Sequence, residues 1–135
     1  MTHHTYRRIV LIALVATVPI GFACKYYQGW LDWWWNDYGA AIFYEIFWIL
    51  LAVWLLPRTK PGAIALWVFA ITCVLEILQL WHPAWLQAVR ATLVGRLLLG
   101  TTFSWWDFPH YAIGCALPWW GLRSLRHHPD TQQSL

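Results

Sequence analysis

Charge is what this sequence has least of. Only 11% of its 135 residues are Asp, Glu, Lys or Arg, against about 25% in ordinary soluble domains. A water-facing surface cannot easily be built from that inventory, which argues against a soluble enzyme and a disordered chain. The net charge of +3 is thinly spread over the loops, so no basic patch is available for nucleic acid. Cysteine is also scarce: Cys24, Cys73 and Cys115 stand singly on separate apolar stretches, without a CxxC pair. That spacing offers no disulfide framework or thiolate metal site and reads as small apolar packing residues. Sequence motifs for a nucleophile elbow, an HExxH zinc helix and a phosphate-cradling glycine loop are missing as well. Internal repeats and low-complexity segments are likewise lacking.

What the chain has is apolar and aromatic residues: 60% hydrophobic, 19% aromatic, mean hydropathy +0.47. An α-helix needs roughly 20 apolar residues to cross about 30 Å of hydrocarbon. Four stretches approach this: Ile9 to Tyr27, Ala40 to Leu56, Ala63 to Trp81 and Phe108 to Leu122. The second and fourth are short and call for tilt or a thinned bilayer. Pro57-Arg58-Thr59-Lys60-Pro61-Gly62 is a tight turn that makes the second and third spans an antiparallel hairpin. The first stretch resembles a signal peptide in outline, but Gly21-Phe22-Ala23-Cys24 is a poor lipoprotein cleavage site, and it reads as an uncleaved span. The expected fold is therefore an all-α integral membrane protein, a single four-helix bundle over residues 1–125 with a flexible cytoplasmic tail over 126–135.

Orientation follows from loop lysines and arginines. With both termini cytoplasmic, the inner segments hold Arg7, Arg8, Arg58, Lys60, Arg123 and Arg126, and the outer ones only Lys25, Arg90 and Arg96. The 13 tryptophans check this independently, because indoles favour the membrane–water interface. Trp30, Trp33, Trp34, Trp35, Trp81, Trp85, Trp105 and Trp106 fall at the outer edge and Trp54, Trp67, Trp119 and Trp120 at the inner, with only Trp48 mid-span.

Ionisable residues inside spans are expensive and raise a functional question. Glu45 lies five residues from the outer end of the second span at Ala40, and Glu76 five from that of the third at Trp81. Each is then about 7–8 Å deep, so the two carboxylates can share a site, with Gln79 on the same helical face as Glu76. Asp107, His110 and Tyr111 open the fourth span at the same level, and Gly114 on that face allows close helix approach. Between His82 and Trp106 the loop is too apolar for water. Trp85, Leu86, Val89, Leu93 and Leu97 recur at helical spacing, as in an interfacial or re-entrant helix. Arg96, among leucines, is expected to pair with Glu76, Glu45 or Asp107, or with an anionic lipid headgroup. Bland roles stand beside each of these. Asp107 before Phe108-Pro109 suits an N-cap, His110 and Glu45 could simply satisfy a neighbour, and Glu76 with Arg96 could be a structural ion pair.

Glu76-Ile77-Leu78-Gln79, Arg96, the run Leu99-Gly100-Thr101-Thr102-Phe103-Ser104-Trp105-Trp106-Asp107, then Tyr111 and Gly114 resemble the domain of unknown function 2809 family of small bacterial membrane proteins. The likeness covers roughly residues 36–116, with Asp37-Tyr38-Gly39 where that family more often has Gly-Asp. A more distant similarity, through Glu-x-x-Gln, an Arg and an Asp, is to VanZ-like proteins, which commonly carry asparagine at the position of Tyr111. VanZ-like members are associated with glycopeptide resistance. The resemblance implies a four- or five-helix envelope protein with Glu76, Gln79, Arg96 and Asp107 in one site, and implies no reaction; the expected location is the bacterial inner membrane.

Three functions are compatible with these residues. One is binding of an amphiphile or anionic lipid-linked ligand by Glu45, Glu76, Gln79, Arg96, Asp107, His110 and Tyr111. Another is a non-catalytic accessory subunit of a larger membrane complex. The third, a lipid-modifying enzyme with Glu76 as base and His110 as acid, has no catalytic motif behind it. The expected partners are membrane lipids and, for the subunit, other integral membrane proteins, with no nucleic acid. No cofactor or metal is expected, since His110 has no second histidine at ligand spacing.

Overall fold

The computed structural model describes residues 2–100 and 102–126, and among them every regular element is helical. Three helices are long and apolar enough to cross a membrane: α1 (His3–Lys25), α2 (Asp32–Leu55) and α3 (Pro61–Leu78). Two short helices follow, α4 (Ala84–Ala91) and α5 (Leu93–Leu99), and then α6 (Asp107–Arg126).

Local chemistry sets these limits. Thr2 caps α1 by accepting from the Thr5 amide at 3.2 Å, which satisfies one of the orphan donors of the first turn. At the far end, Asn36 donates to the Cys24 and Tyr27 carbonyls at 3.2 and 2.9 Å, adding to the Tyr27 amide that reaches the Cys24 carbonyl at 3.4 Å. Pro61 begins α3, at a position where its missing amide costs nothing. The second span starts earlier than its hydropathy suggests. Trp35–Gly39 form a turn of π-helix that joins Asp32–Trp34 to the apolar run, so the helix gains the polar residues Asn36 and Asp37.

Helix α2 is the axis of the bundle and packs against α1, α3 and α6. Arg7, near the start of α1, donates to the Trp54 carbonyl near the end of α2 at 3.3 Å, so these two run antiparallel. Cys115 meets Glu45 and Arg126 meets Pro57, so α6 runs parallel to α2 and antiparallel to α3. A parallel neighbour requires the chain to return to the far end first; α3 makes that return, and residues 79–106 link the end of α3 to the start of α6 at the same end of the bundle. The core is an apolar column of Val10, Leu14, Ile49, Val53, Ile64 and Leu122. Outward faces carry exposed Ile12, Val15, Leu66, Trp67 and Val74, a surface suited to lipid and not to water.

Both ends of the described chain meet at one end of the bundle, where the Arg126 guanidinium lies 5.4 Å over the Tyr6 ring. Arg126 is still helical and donates to the Pro57 carbonyl at 2.7 Å, so it belongs to the bundle. The rest of the expected tail lies outside the described residues. The apolar third loop is helical as expected, but broken in two at Thr92. Thr92 adopts an extended conformation and its hydroxyl accepts from the Gly95 amide at 3.0 Å, capping α5.

Candidate functional site

The least exposed polar side chains are two carboxyl groups, Glu45 at 0% and Glu76 at 1%. They lie where α2, α3 and α6 converge, in the half of the bundle remote from the chain ends. Their surroundings differ. Glu76 is fully served: Oε2 accepts from the Tyr111 hydroxyl at 2.8 Å and the Gln79 amide at 3.1 Å, and Oε1 from the Ser104 backbone amide at 2.8 Å. Glu45 has one donor, the Cys115 thiol, with Sγ 3.0 Å from Oε2. Its Oε1 is buried with no partner, as is Oε1 of Gln79.

Position follows from helix geometry. Tyr111 and Cys115 are four residues apart on one face of α6, so Tyr111 reaches Glu76 on α3 and Cys115 reaches Glu45 on α2. The carboxyl groups are therefore about one turn, roughly 6 Å, apart along α6 and not level. Because α2 begins at Asp32 and not at Ala40, Glu45 lies farther along its helix than the apolar run suggests. Gly114 makes the meeting possible. A Cβ there would stand 2.7 Å from the Glu45 Cβ and 2.8 Å from the Ile42 carbonyl oxygen, so the two backbones touch where only glycine fits.

A strap from the segment linking α3 to α6 covers the site. Gln79 donates to the Leu99 carbonyl at 2.9 Å, Tyr44 to the Leu98 carbonyl at 2.8 Å, and the Ser104 amide binds Glu76. The strap turns at Gly100, whose φ of +70° suits glycine and whose missing Cβ leaves room for the Gln79 amide.

Of the residues expected from sequence, Glu45, Glu76, Gln79 and Tyr111 converge. Asp107 opens α6 half-buried, its carboxyl beside that of Glu76 and in electrostatic reach of Asp37 and Lys25. His110 lies at the margin. Its ring stacks on Tyr38 at 4.3 Å, meets Trp34 edge-on at 5.8 Å, and shares a hydrogen bond through Nδ1 with the Trp106 carbonyl at 2.7 Å. Arg96 does not join them. It is exposed on α5, and the donors on Glu76 and Glu45 are the neutral groups just named, so the expected ion pair is not formed. The buried arginine is Arg90, 5% exposed, which donates to the Leu78 and Trp81 carbonyls at 2.9 Å each. It satisfies the last turn of α3 and pins α4 to it. Both arginines sit among apolar residues of one short segment, on opposite sides of the break at Thr92.

Three contributors went unanticipated. Cys115 was read as packing, and the Tyr44 hydroxyl and Ser104 backbone bonds leave no mark in residue type. Among the described residues no group of three or more His, Cys, Asp or Glu could hold a metal ion.

No solved structure matches this chain. A family model does match, from Trp30 to Cys115, a stretch that includes all of the residues brought together above and leaves out α1. With 86 of its 135 residues covered in this way, the chain belongs to the family described as protein of unknown function (DUF2809).

Proposed function

We propose that this protein crosses the bacterial inner membrane four times, with both chain ends in the cytoplasm, and binds the headgroup of an amphiphile in the outer half of its bundle. Helix α6 is the fourth span. Its 20 residues extend about 30 Å, the thickness of the hydrocarbon layer. Arg7, Arg8, Arg58, Lys60, Arg123 and Arg126 gather at the end where the described residues begin and end, which by the positive-inside rule is the cytoplasmic one.

The observation that carries the binding reading is the unspent acceptor capacity of the site. Glu45 Oε1 and Gln79 Oε1 are buried without a donor, an arrangement that costs about 1–3 kcal/mol per group. A headgroup bearing hydroxyl or amine donors would remove that cost. Arg96, exposed beside the strap, and His110, at the margin, are positioned for a phosphate or carboxylate of the same ligand. The ligand class is thus a lipid-linked molecule, anionic at the interface and hydrogen-bond-donating below it. The Cys115 thiol at this site is engaged as the donor to Glu45, and the reading is of binding and not of turnover.

Native mass spectrometry on protein released gently from its own membrane tests this, with wild type beside Glu76→Gln and Arg96→Ala. A defined amphiphile is expected on the wild type and lost from both variants, each of which still elutes as a folded species. Retention of the same molecule by both variants overturns the reading. Stoichiometric partner proteins surviving both substitutions, with no lipid, would make the protein an accessory subunit.

A further inference from the structure

Helices α3 and α6 leave between them an apolar groove of about 250 Å³, lined by Ala65, Leu66, Phe69, Ala112, Ala116 and Trp119 among others. Leu66 is 69% exposed, so the groove opens where lipid chains stand. Toward the chain termini it ends at Trp119, whose Nε1 lies 3.1 Å from where a Gly62 Cβ would be. Two cations flank that end. The Arg123 guanidinium lies 5.4 Å from the Trp119 ring centroid, and Lys60 precedes α3, two residues before Gly62. Both are exposed. Of the other cations of this end, Arg126 donates to the Pro57 and Thr59 carbonyls and Arg7 to the Trp54 carbonyl, while Arg8 and Arg58 are exposed and neither adjoins Trp119 in the manner of Arg123. Every acid among the described residues (Asp32, Asp37, Glu45, Glu76, Asp107) lies elsewhere in the bundle, so none is placed to neutralise Arg123 and Lys60.

We propose that this groove seats one anionic phospholipid of the leaflet facing the chain termini. An acyl chain lies along Leu66, Phe69 and Ala116, and the phosphate sits between Arg123 and Lys60, at the level where the Trp119 indole marks the interface. The walls supply apolar contact but no charge preference. The two cations supply that preference, since basic residues at the membrane surface attract anionic headgroups and guanidinium matches phosphate geometry. The groove reaches Cys115, the donor to Glu45, but its phosphate end at Arg123 and Lys60 is remote from both carboxyl groups and uses neither, so the two proposals stand or fall separately.

The test titrates detergent-solubilised full-length protein with phosphatidylglycerol or phosphatidylcholine of identical chains and counts bound lipid by native mass spectrometry. Wild type is expected to hold one phosphatidylglycerol at least tenfold more tightly than phosphatidylcholine. The double substitution Lys60→Gln with Arg123→Gln should bring phosphatidylglycerol down to the phosphatidylcholine level. Ala116→Phe, which fills the groove from an exposed position, should remove both lipids, and Arg8→Gln on α1 should leave the preference unchanged. All four positions are exposed, so folding is expected to survive, checked by monodisperse elution. Equal affinity of wild type for the two lipids overturns the proposal. So does a preference that survives the double substitution, one that persists in Ala116→Phe, or an equal loss from Arg8→Gln, which would mark bulk charge attraction.

Discussion

Gly114→Ala should destabilise the bundle far more than one methyl group suggests. The new Cβ would stand 2.7 Å from the Glu45 Cβ, 2.8 Å from the Ile42 carbonyl oxygen and 3.1 Å from the Ile42 Cα. Carbon atoms in good contact are about 3.5–4.0 Å apart, so α2 and α6 must part by roughly 1 Å at this level. Neither obstacle can swing aside, because two of the three atoms are backbone and the third is the first side-chain carbon. Overpacking of this kind costs about 1–3 kcal/mol. A gap of 0.5–1 Å also forfeits about a quarter to a half of each affected dispersion contact, and packing is the main cohesion between helices in lipid. The expected loss is therefore about 2 kcal/mol, offset slightly by alanine's better helix propensity. Gly121 on the same helix provides the control, since nothing lies within 4 Å of its absent Cβ. Gly121→Ala should be neutral or stabilising by up to about 1 kcal/mol. Reversible unfolding in mixed micelles, driven by dodecyl sulfate and followed by tryptophan fluorescence, separates the two. If Gly114→Ala unfolds at the wild-type dodecyl sulfate fraction, or both variants shift equally, the close-approach argument is wrong.

Two further outcomes follow from the same geometry. Arg90→Met should release α4 from α3, because the Leu78 and Trp81 carbonyls each lose their guanidinium donor; amide hydrogen exchange over residues 79–100 should rise several-fold with α1 and α2 unchanged, while Arg96→Met on the exposed arginine should not produce this, and equal effects would remove the distinction between them. For topology, single cysteines at Trp30 and Arg58, in a background with Cys24, Cys73 and Cys115 replaced by alanine, should react oppositely with a membrane-impermeant maleimide. The Trp30 position is expected to label on intact cells and the Arg58 position only after permeabilisation, and the reverse pattern would invert the orientation.

Much of the architecture was readable from composition and spacing because lipid imposes a simple rule. Every backbone polar group in hydrocarbon must be satisfied within its own segment, so an apolar run of sufficient length becomes a helix. That is why the cores of α1, α2 and α3 match the expected stretches, and why the Pro57–Gly62 turn falls between α2 and α3. Hydropathy failed at the margins. It missed the extension of α2 to Asp32, since a π turn carrying Asn36 and Asp37 has no hydropathic signature. Glu45, Glu76 and Gln79 stood out because polar groups are rare in these spans. Tyr111 could be paired with them through its helical spacing from Asp107. Arg90 could not be told from Arg96, since both lie among apolar residues at similar distances from α3.

By itself the sequence determined that this chain belongs in a bilayer, which runs are helical, and that carboxyl groups lie buried among them, because those properties depend on residue type and local spacing alone. The tertiary structure decided which donors meet which acceptors. The parallel approach of α2 and α6 at Gly114, the strap turning at Gly100 onto Gln79, and the inward turn of Arg90 each depend on where a distant segment passes. That path is set by packing between helices, and no single segment encodes it.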